Sequence, residues 1–206
     1  NWSSVICAHV KDAAITVRDM FETLINDMIP INGTKFNIKP FKQTQNIKVI
    51  PERGCRITVG SAEEPDSVRS QDVKIAHFSE VAKYPNTDKK STAKLIGSIV
   101  GTIPKIPYTL IVFESTPNGI GEFFYEEWQK AIKGESAYEP VFVPWFKIEI
   151  YSQEFNGTYY NRDGKIVNGT IEDFVASMDT YEKNLFITHK DCTLENLNWY
   201  RGKRAE

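Results

Sequence analysis

The feature that most restricts how this chain can fold is an alternation of two hydrophobic periods. Residues 4–10 (SVICAHV), 73–78 (VKIAHF) and 108–114 (YTLIVFE) are short, uninterrupted apolar runs rich in β-branched and aromatic residues. Continuous rather than alternating hydrophobicity over about four to eight residues marks a strand buried on both faces. Each run is followed by apolar residues at helical spacing. After the first come Ala14, Val17, Phe21, Leu24, Ile25 and Met28, with Asp12 where an N-cap belongs and Pro30 as the stop. After the second, Ala93, Ile96, Ile99 and Val100 share a face between Lys90 and Ile103, closed by Pro104. The third leads to Phe123, Phe124, Trp128, Ala131 and Ile132, ended by Gly134. This order predicts an α/β fold, a mostly parallel sheet with helices on both faces.

Between these units the chain reads as irregular structure and short strands. Asn32-Gly33 predicts a turn, followed by a meander of strands near 36–38, 46–50 and 55–60. Residues 61–72 (SAEEPDSVRSQD) are polar and read as a loop, and 140–151 (PVFVPWFKIEIY) as a further strand-like stretch. Beyond Tyr151 the texture changes. Residues 152–170, rich in Asn, Gly, Tyr and charge, suit a two-stranded ribbon or loop. From Ile171 a helical stripe of Phe174, Val175, Met178, Tyr181, Leu185 and Phe186 begins. Thr193 caps a last helix with Leu194, Leu197 and Trp199, which ends in Arg201, Lys203 and Arg204. We therefore expect an α/β body over 1–151 and a small helical domain over 152–206.

Composition narrows the class of function. With 206 residues the chain is long enough to bury a core without disulfides. Its 25 Lys+Arg against 27 Asp+Glu leave a net charge of −2, so no bulk positive field draws it to nucleic acid or anionic lipid. No run of 18 apolar residues occurs, and the N-terminus has no basic and apolar leader. Starting at Asn1, the chain reads as a piece of a longer one. Cys7, Cys55 and Cys192 are scattered, without CxxC or histidines at ligand spacing, and read as small buried hydrophobes. Sequons begin at Asn1, Asn32, Asn156 and Asn168, but three of these are Asn-Gly-Thr, letters that turn chemistry alone produces. His9, His77 and His189 have no mutual spacing for a metal, and Trp128, Trp145 and Trp199 read as packing anchors. Lys89-Lys90 and the basic residues 201–204 read as solvated charge.

In an open parallel sheet, ligands bind at the carboxyl ends of the strands. Two such ends carry chemistry here. Glu80 stands immediately past the second apolar run, where a rigidly held carboxylate can polarise water or bind a metal through water. The third run opens into Ser115-Thr116-Pro117-Asn118-Gly119, which offers two hydroxyls, one fixed φ and a left-handed turn to a phosphate oxygen. Taken alone, the first is also what a helix N-terminus shows, and the second what a plain turn shows.

Their order and spacing resemble the ATPase domain of the large terminase subunits of tailed bacteriophages, the motors that pump DNA into procapsids. The resemblance runs over much of the chain: Arg53-Gly54 and the strand after it, GSAEEPDSVRSQD, HFSEVAKYP, STPNGIGEFFYEEW and TLENLNWYRGK come in the family's order. It implies a RecA-like P-loop NTPase core with a helical lid over 152–206. VKIAHFSE matches the Walker B strand, with Glu80 as the catalytic glutamate that orients the attacking water. Ser79 stands where the family usually has the Walker B Asp, so it can touch Mg²⁺ or its hydration water but supplies no charge. Ser115, Thr116, Asn118 and Gly119 match the coupling motif, and Arg69, followed by Ser70 where a glycine is usual, matches an arginine that contacts phosphate or Glu80.

A phosphate-binding G-K-[ST] is missing, since Gly164-Lys165-Ile166 and Gly202-Lys203-Arg204 both fail at the third position. The resemblance would put the P-loop before Asn1 and the nuclease acids after Glu206. It implies ATP and Mg²⁺ as ligands, double-stranded DNA, a portal protein and a small terminase subunit as partners, a homo-oligomeric ring, and a location in the bacterial host cytoplasm at the portal, with no membrane. The chain by itself is expected to be inactive. Two other readings stay open at this point: another RecA-like helicase or translocase, and a non-enzymatic interaction module with a decayed ATP site.

Overall fold

A computed structural model describes residues 2–27, 39–40, 46–69, 72–87 and 90–204. The expected turn at Asn32-Gly33, the strand near 36–38, the helix stop at Pro30 and the lysine at 89 lie outside the described residues. The chain divides into two compact units, Asn1–Pro140 and Val141–Glu206.

The first unit is built on one six-stranded sheet. Its strands are β1 (Ser4–Ala8), β2 (Lys39–Pro40), β3 (Ile47–Ile50), β4 (Cys55–Ser61), β5 (Ile75–Ser79) and β6 (Leu110–Glu114), in the spatial order β2-β3-β4-β1-β5-β6. β4, β1, β5 and β6 run parallel, while β2 and β3 form an antiparallel extension on β4. The apolar runs are therefore the adjacent parallel strands β1, β5 and β6, as the α/β expectation requires.

Along β1, alternate residues serve opposite faces. Val5 and Cys7 join Ala76 and Phe78 of β5 in the main core, closed by Leu95, Ile96 and Ile99 of α2 (Thr92–Val100). Phe123 and Phe124 of α3 (Phe123–Ile132) pack against the same core. Ile6 and Ala8 face the other way and meet Ala13, Ala14 and Val17 of α1 (Lys11–Asp27), together with Val59. α1 packs on β1 and β4, and its Glu22 pairs with Lys48 of β3. Ile75 and Leu110, paired in register on β5 and β6, stay 37% and 55% exposed. Within the expected α1 stripe Ala14 is buried and Leu24 is 63% exposed, while the Ile25 side chain and Met28 lie outside the described residues.

Helix ends are set by local chemistry. Asp12 lies inside the first turn of α1 rather than capping it; the Glu63 carboxylate accepts the Lys11 N–H at 2.9 Å. Such a cap comes from across the fold and has no local sequence signal. Ser91 caps α2 and Glu122 caps α3, each accepting from backbone N–H groups. Gly134, at φ 72°, takes the left-handed turn that follows α3.

The second unit holds a ribbon of β7 (Thr158–Tyr160) and β8 (Ile166–Asn168), then α4 (Ile171–Ala176), α5 (Thr180–Thr188) and α6 (Leu194–Arg204). Residues 140–151 are not a strand. Pro140 and Pro144 lack the N–H a ladder needs, and Trp145–Lys147 form a single 3₁₀ turn. Phe146 there joins Phe174, Met178, Cys192 and Leu197 in the unit's own core. That packing moves the division of the chain ahead of the change of texture at Tyr151. The single helical stripe expected after Ile171 is two helices, because Asp179 forms a capping box with Glu182 and starts α5 afresh. Thr193 caps α6 as expected, its hydroxyl accepting the Asn196 N–H at 3.2 Å.

Burial raises the thiols of Cys7 and Cys192 to about 11, which makes both poor nucleophiles. Among the described residues, no helix is long and apolar enough to cross a membrane. Arg201, expected in a solvated run, is instead buried against Glu182.

Candidate active site

β5 and β6 are parallel neighbours, and their last residues, Ser79 and Glu114, are register partners. The chain therefore leaves the sheet at Glu80 and Ser115 side by side. Glu80 turns at once: its φ of 56° and ψ of 46° lie in the left-handed region, which costs a non-glycine residue about 1–2 kcal/mol. A 3₁₀ turn, Val81–Lys83, follows with Val81 and Ala82 buried. The sharp turn keeps the Glu80 carboxylate at the strand end instead of letting the strand run on.

Four polar contacts stitch this turn to the loop after β6. The Ser115 hydroxyl accepts the Ala82 N–H at 3.1 Å and lies 3.4 Å from Glu80 Oε2. Thr116 Oγ1 donates to the same Oε2 at 3.2 Å. Asn118 Nδ2 donates to the Ala82 carbonyl at 3.0 Å. Lys83 Nζ, 3.1 Å from Glu80 Oε2, adds a charge one turn away. Glu80 Oε2 is thus heavily engaged, and its side chain is 26% exposed. Gly119 has φ 99°, a conformation open to glycine and strained for other residues, with nothing within 4 Å of where a Cβ would stand. Behind the turn, the Tyr84 hydroxyl donates to the Cys7 carbonyl and ties the segment to β1.

Glu114, which sequence alone does not single out, also stands at this strand end. His77 and Ser79 on β5 and Glu114 on β6 share one sheet face, since alternate residues point the same way. His77 Nε2 lies 3.5 Å from Glu114 Oε1. Hydrogen bonding by His77 and then by the Ser79 hydroxyl holds the Glu114 carboxyl below the ordinary carboxylate range, against the opposing effect of partial burial. Its signal in the sequence was an acid closing an apolar run, which carries no weight until the register with Ser79 is known.

Arg69 is not brought to Glu80. Among the described residues its ion pair is with Asp66, at 3.7 Å, and its Nε is buried without a hydrogen-bond partner.

The groups gathered at the ends of β5 and β6 are oxygen donors: the carboxylates of Glu80 and Glu114 and the hydroxyls of Ser79, Ser115 and Thr116. Such a set fits Mg²⁺ by its hardness. Among the described residues no group of three or more His, Cys, Asp or Glu could hold a metal ion.

No family model matches this chain, and no curated protein matches it. Solved structures of the Thermus phage P74-26 large terminase ATPase domain resemble it. An arginine-to-alanine mutant of that domain is 16% identical with a TM-score of 0.44, covering 62% of this chain and 52% of that one. A second structure of the domain is 15% identical with a TM-score of 0.35, covering 62% and 51%. The chain spans about half the length of these structures.

Proposed function

We propose that this chain carries the catalytic-carboxylate side of an ATPase that drives double-stranded DNA into a viral procapsid. The observation that carries the reading is the juncture of two parallel strand ends: Glu80 after β5 bonded by the hydroxyls of Ser115 and Thr116 after β6. In-line transfer of a γ-phosphoryl group to water asks the protein mainly for position and electrostatics. Glu80, held by its left-handed turn and by both hydroxyls, would orient the attacking water. Bound Mg²⁺ would neutralise charge on the phosphate oxygens, faced by the carboxylates and hydroxyls of the site and by Ser79 at the end of β5. Thr116 joins Glu80 to the loop that leads through Asn118 and Gly119 into α3. A change in what Glu80 bonds is thereby passed to that loop, which is how the segment would couple hydrolysis to movement of DNA. Arg69, paired with Asp66 rather than Glu80, keeps a role only toward phosphate.

The reading includes a portal protein, a small terminase subunit and a ring of like subunits as partners, in the host cytoplasm at the portal. It also divides the chain into an ATPase core and a helical lid. Because the sequence has no G-K-[ST], the cradle for the β- and γ-phosphates must come from residues outside this chain, and residues 1–206 alone should not turn over ATP. The uncharged Ser79 favours one other reading, an interaction module with a lapsed site. The test is Mg²⁺-dependent ATP hydrolysis by the product of the whole reading frame that contains this chain. Glu80→Gln should lower kcat by about 10²–10⁴ with KM little changed. Turnover unaffected by Glu80→Gln overturns the reading, and absence of turnover in the unaltered product leaves the interaction module.

A further inference from the structure

Among the described residues, every contact of the Glu80 carboxylate falls on one of its two oxygens. Lys83 Nζ stands 3.1 Å from Oε2, Thr116 Oγ1 3.2 Å and Ser115 Oγ 3.4 Å. The Ser115 hydroxyl has a single proton and a nearer acceptor for it, the Thr116 carbonyl at 2.9 Å. Of the groups on Oε2, Lys83 is therefore the shortest contact and the only charged one. It is also placed by the turn that Glu80 itself begins. The Lys83 N–H donates to the Glu80 carbonyl at 2.9 Å, and Val81 and Ala82 between them are buried. The left-handed conformation of Glu80 thus lets one lysine meet it twice, by backbone and by side chain.

An ion pair this exposed adds little to stability, so its consequence is geometric. A carboxylate free to turn presents either oxygen to a water, whereas one held at Oε2 presents Oε1 alone. We infer that Lys83 is a positioning residue: it pins Oε2 of Glu80 from within the turn while Thr116 pins it from the neighbouring loop, so that Oε1 is the oxygen offered to the attacking water. This rests on the proposed ATPase reading and deepens it. In this role Lys83 acts through Glu80 and not on the nucleotide.

The test is steady-state ATP hydrolysis by the product of the whole reading frame. Lys83→Met, which keeps an apolar stem without the charge, should lower kcat about tenfold with KM unchanged. Lys83→Arg should recover most of that loss. In the Glu80→Gln background Lys83→Met should lower kcat no further, because the group it acts through is gone. In isotope-labelled residues 1–206, NMR should show the Glu80 carboxyl carbon shifted by Lys83→Met and the Ala82 amide, held by Ser115, unmoved. An unchanged kcat in Lys83→Met, or a raised KM with kcat kept, which would put the ammonium on the phosphates, overturns the assignment. So does a full further loss in the Glu80→Gln background, no recovery in Lys83→Arg, an unmoved carboxyl carbon, or a displaced Ala82 amide, the mark of a merely structural role. Its failure is separable from that of the ATPase reading. If Glu80→Gln removes turnover and Lys83→Met does not lower it, only the role of Lys83 falls. If the unaltered product does not hydrolyse ATP, the ATPase reading falls and the positioning role with it, whatever the carboxyl carbon shows.

Discussion

Glu182 in the second unit and Glu80 in the first are both carboxylates facing a basic side chain, but one is sealed and the other open. Glu182 receives Arg201 in a bidentate pair at 2.7 and 2.8 Å, with both side chains 1% exposed. Arg201 also donates to the Tyr160 carbonyl at 3.2 Å and to Ser177 Oγ at 3.0 Å, and its guanidinium lies 3.9 Å over the Phe174 ring. A buried pair is tolerable only when its other hydrogen-bonding valences are filled, and here the fork geometry of arginine fills them. Glu80 and Lys83 are 26% and 42% exposed, with one flexible point charge and two small hydroxyls as partners. The first arrangement holds a fold together. The second leaves a carboxylate within reach of water and ligand, as chemistry demands.

The comparison breaks most visibly at the sealed pair. Glu182→Ala leaves the Arg201 charge buried and should destabilise the chain by about 3–5 kcal/mol in chemical denaturation. The joint replacement Glu182→Leu with Arg201→Met should recover much of that loss, because no uncompensated charge remains. If Glu182→Ala costs under about 1 kcal/mol, the pair is not the fastening described here. Glu80→Gln should do the reverse, moving stability by no more than about 1 kcal/mol, since an exposed ion pair contributes little.

A smaller effect separates the stitching from the charge. Ser115→Ala removes the acceptor of the Ala82 N–H and should lower stability by about 1 kcal/mol, with the loss confined to the loops after β5 and β6 in amide exchange. Smallest is a dependence on acidity at the helix caps. Asp179 is held below its ordinary value, chiefly by the hydrogen bond from the Glu182 backbone N–H and further by Arg204. A carboxyl lowered in the folded state stabilises at pH above its unfolded value of about 3.9, and the contribution fades as pH falls through the lower folded value. Asp179→Asn should therefore reduce stability at pH 7 more than at pH 3, and equal losses at the two would remove Asp179 from the account.

Local chemistry made much of this legible. The strands β1, β5 and β6 show as unbroken apolar runs, α2 and α3 as helical stripes, and Thr193 as a cap, because each depends on neighbours a few residues away. Glu80 and the Ser115–Gly119 loop could be picked out for the same reason: each is a polar break at the end of an apolar run. The misread segments share a different cause. Residues 140–151 look like a strand by composition, but a strand exists only with a partner, and two prolines deny it one. Arg201 sits in a basic run that suggested solvent, yet α5 presents Glu182 to it from 19 residues away.

Sequence alone determined the alternation of strand and helix, the two strand ends where polar groups break out of the apolar sheet, and the lack of a phosphate loop within these residues, since hydrophobic period and residue type are local properties. Tertiary structure alone decided which strands are neighbours. That choice set Ser79 beside Glu114, brought Ser115 and Thr116 onto Glu80, turned Arg69 toward Asp66, and lent Glu63 to the start of α1. Each of these is a pairing across tens of residues, fixed by the burial of both faces of the central strands and by parallel register, which no local pattern encodes.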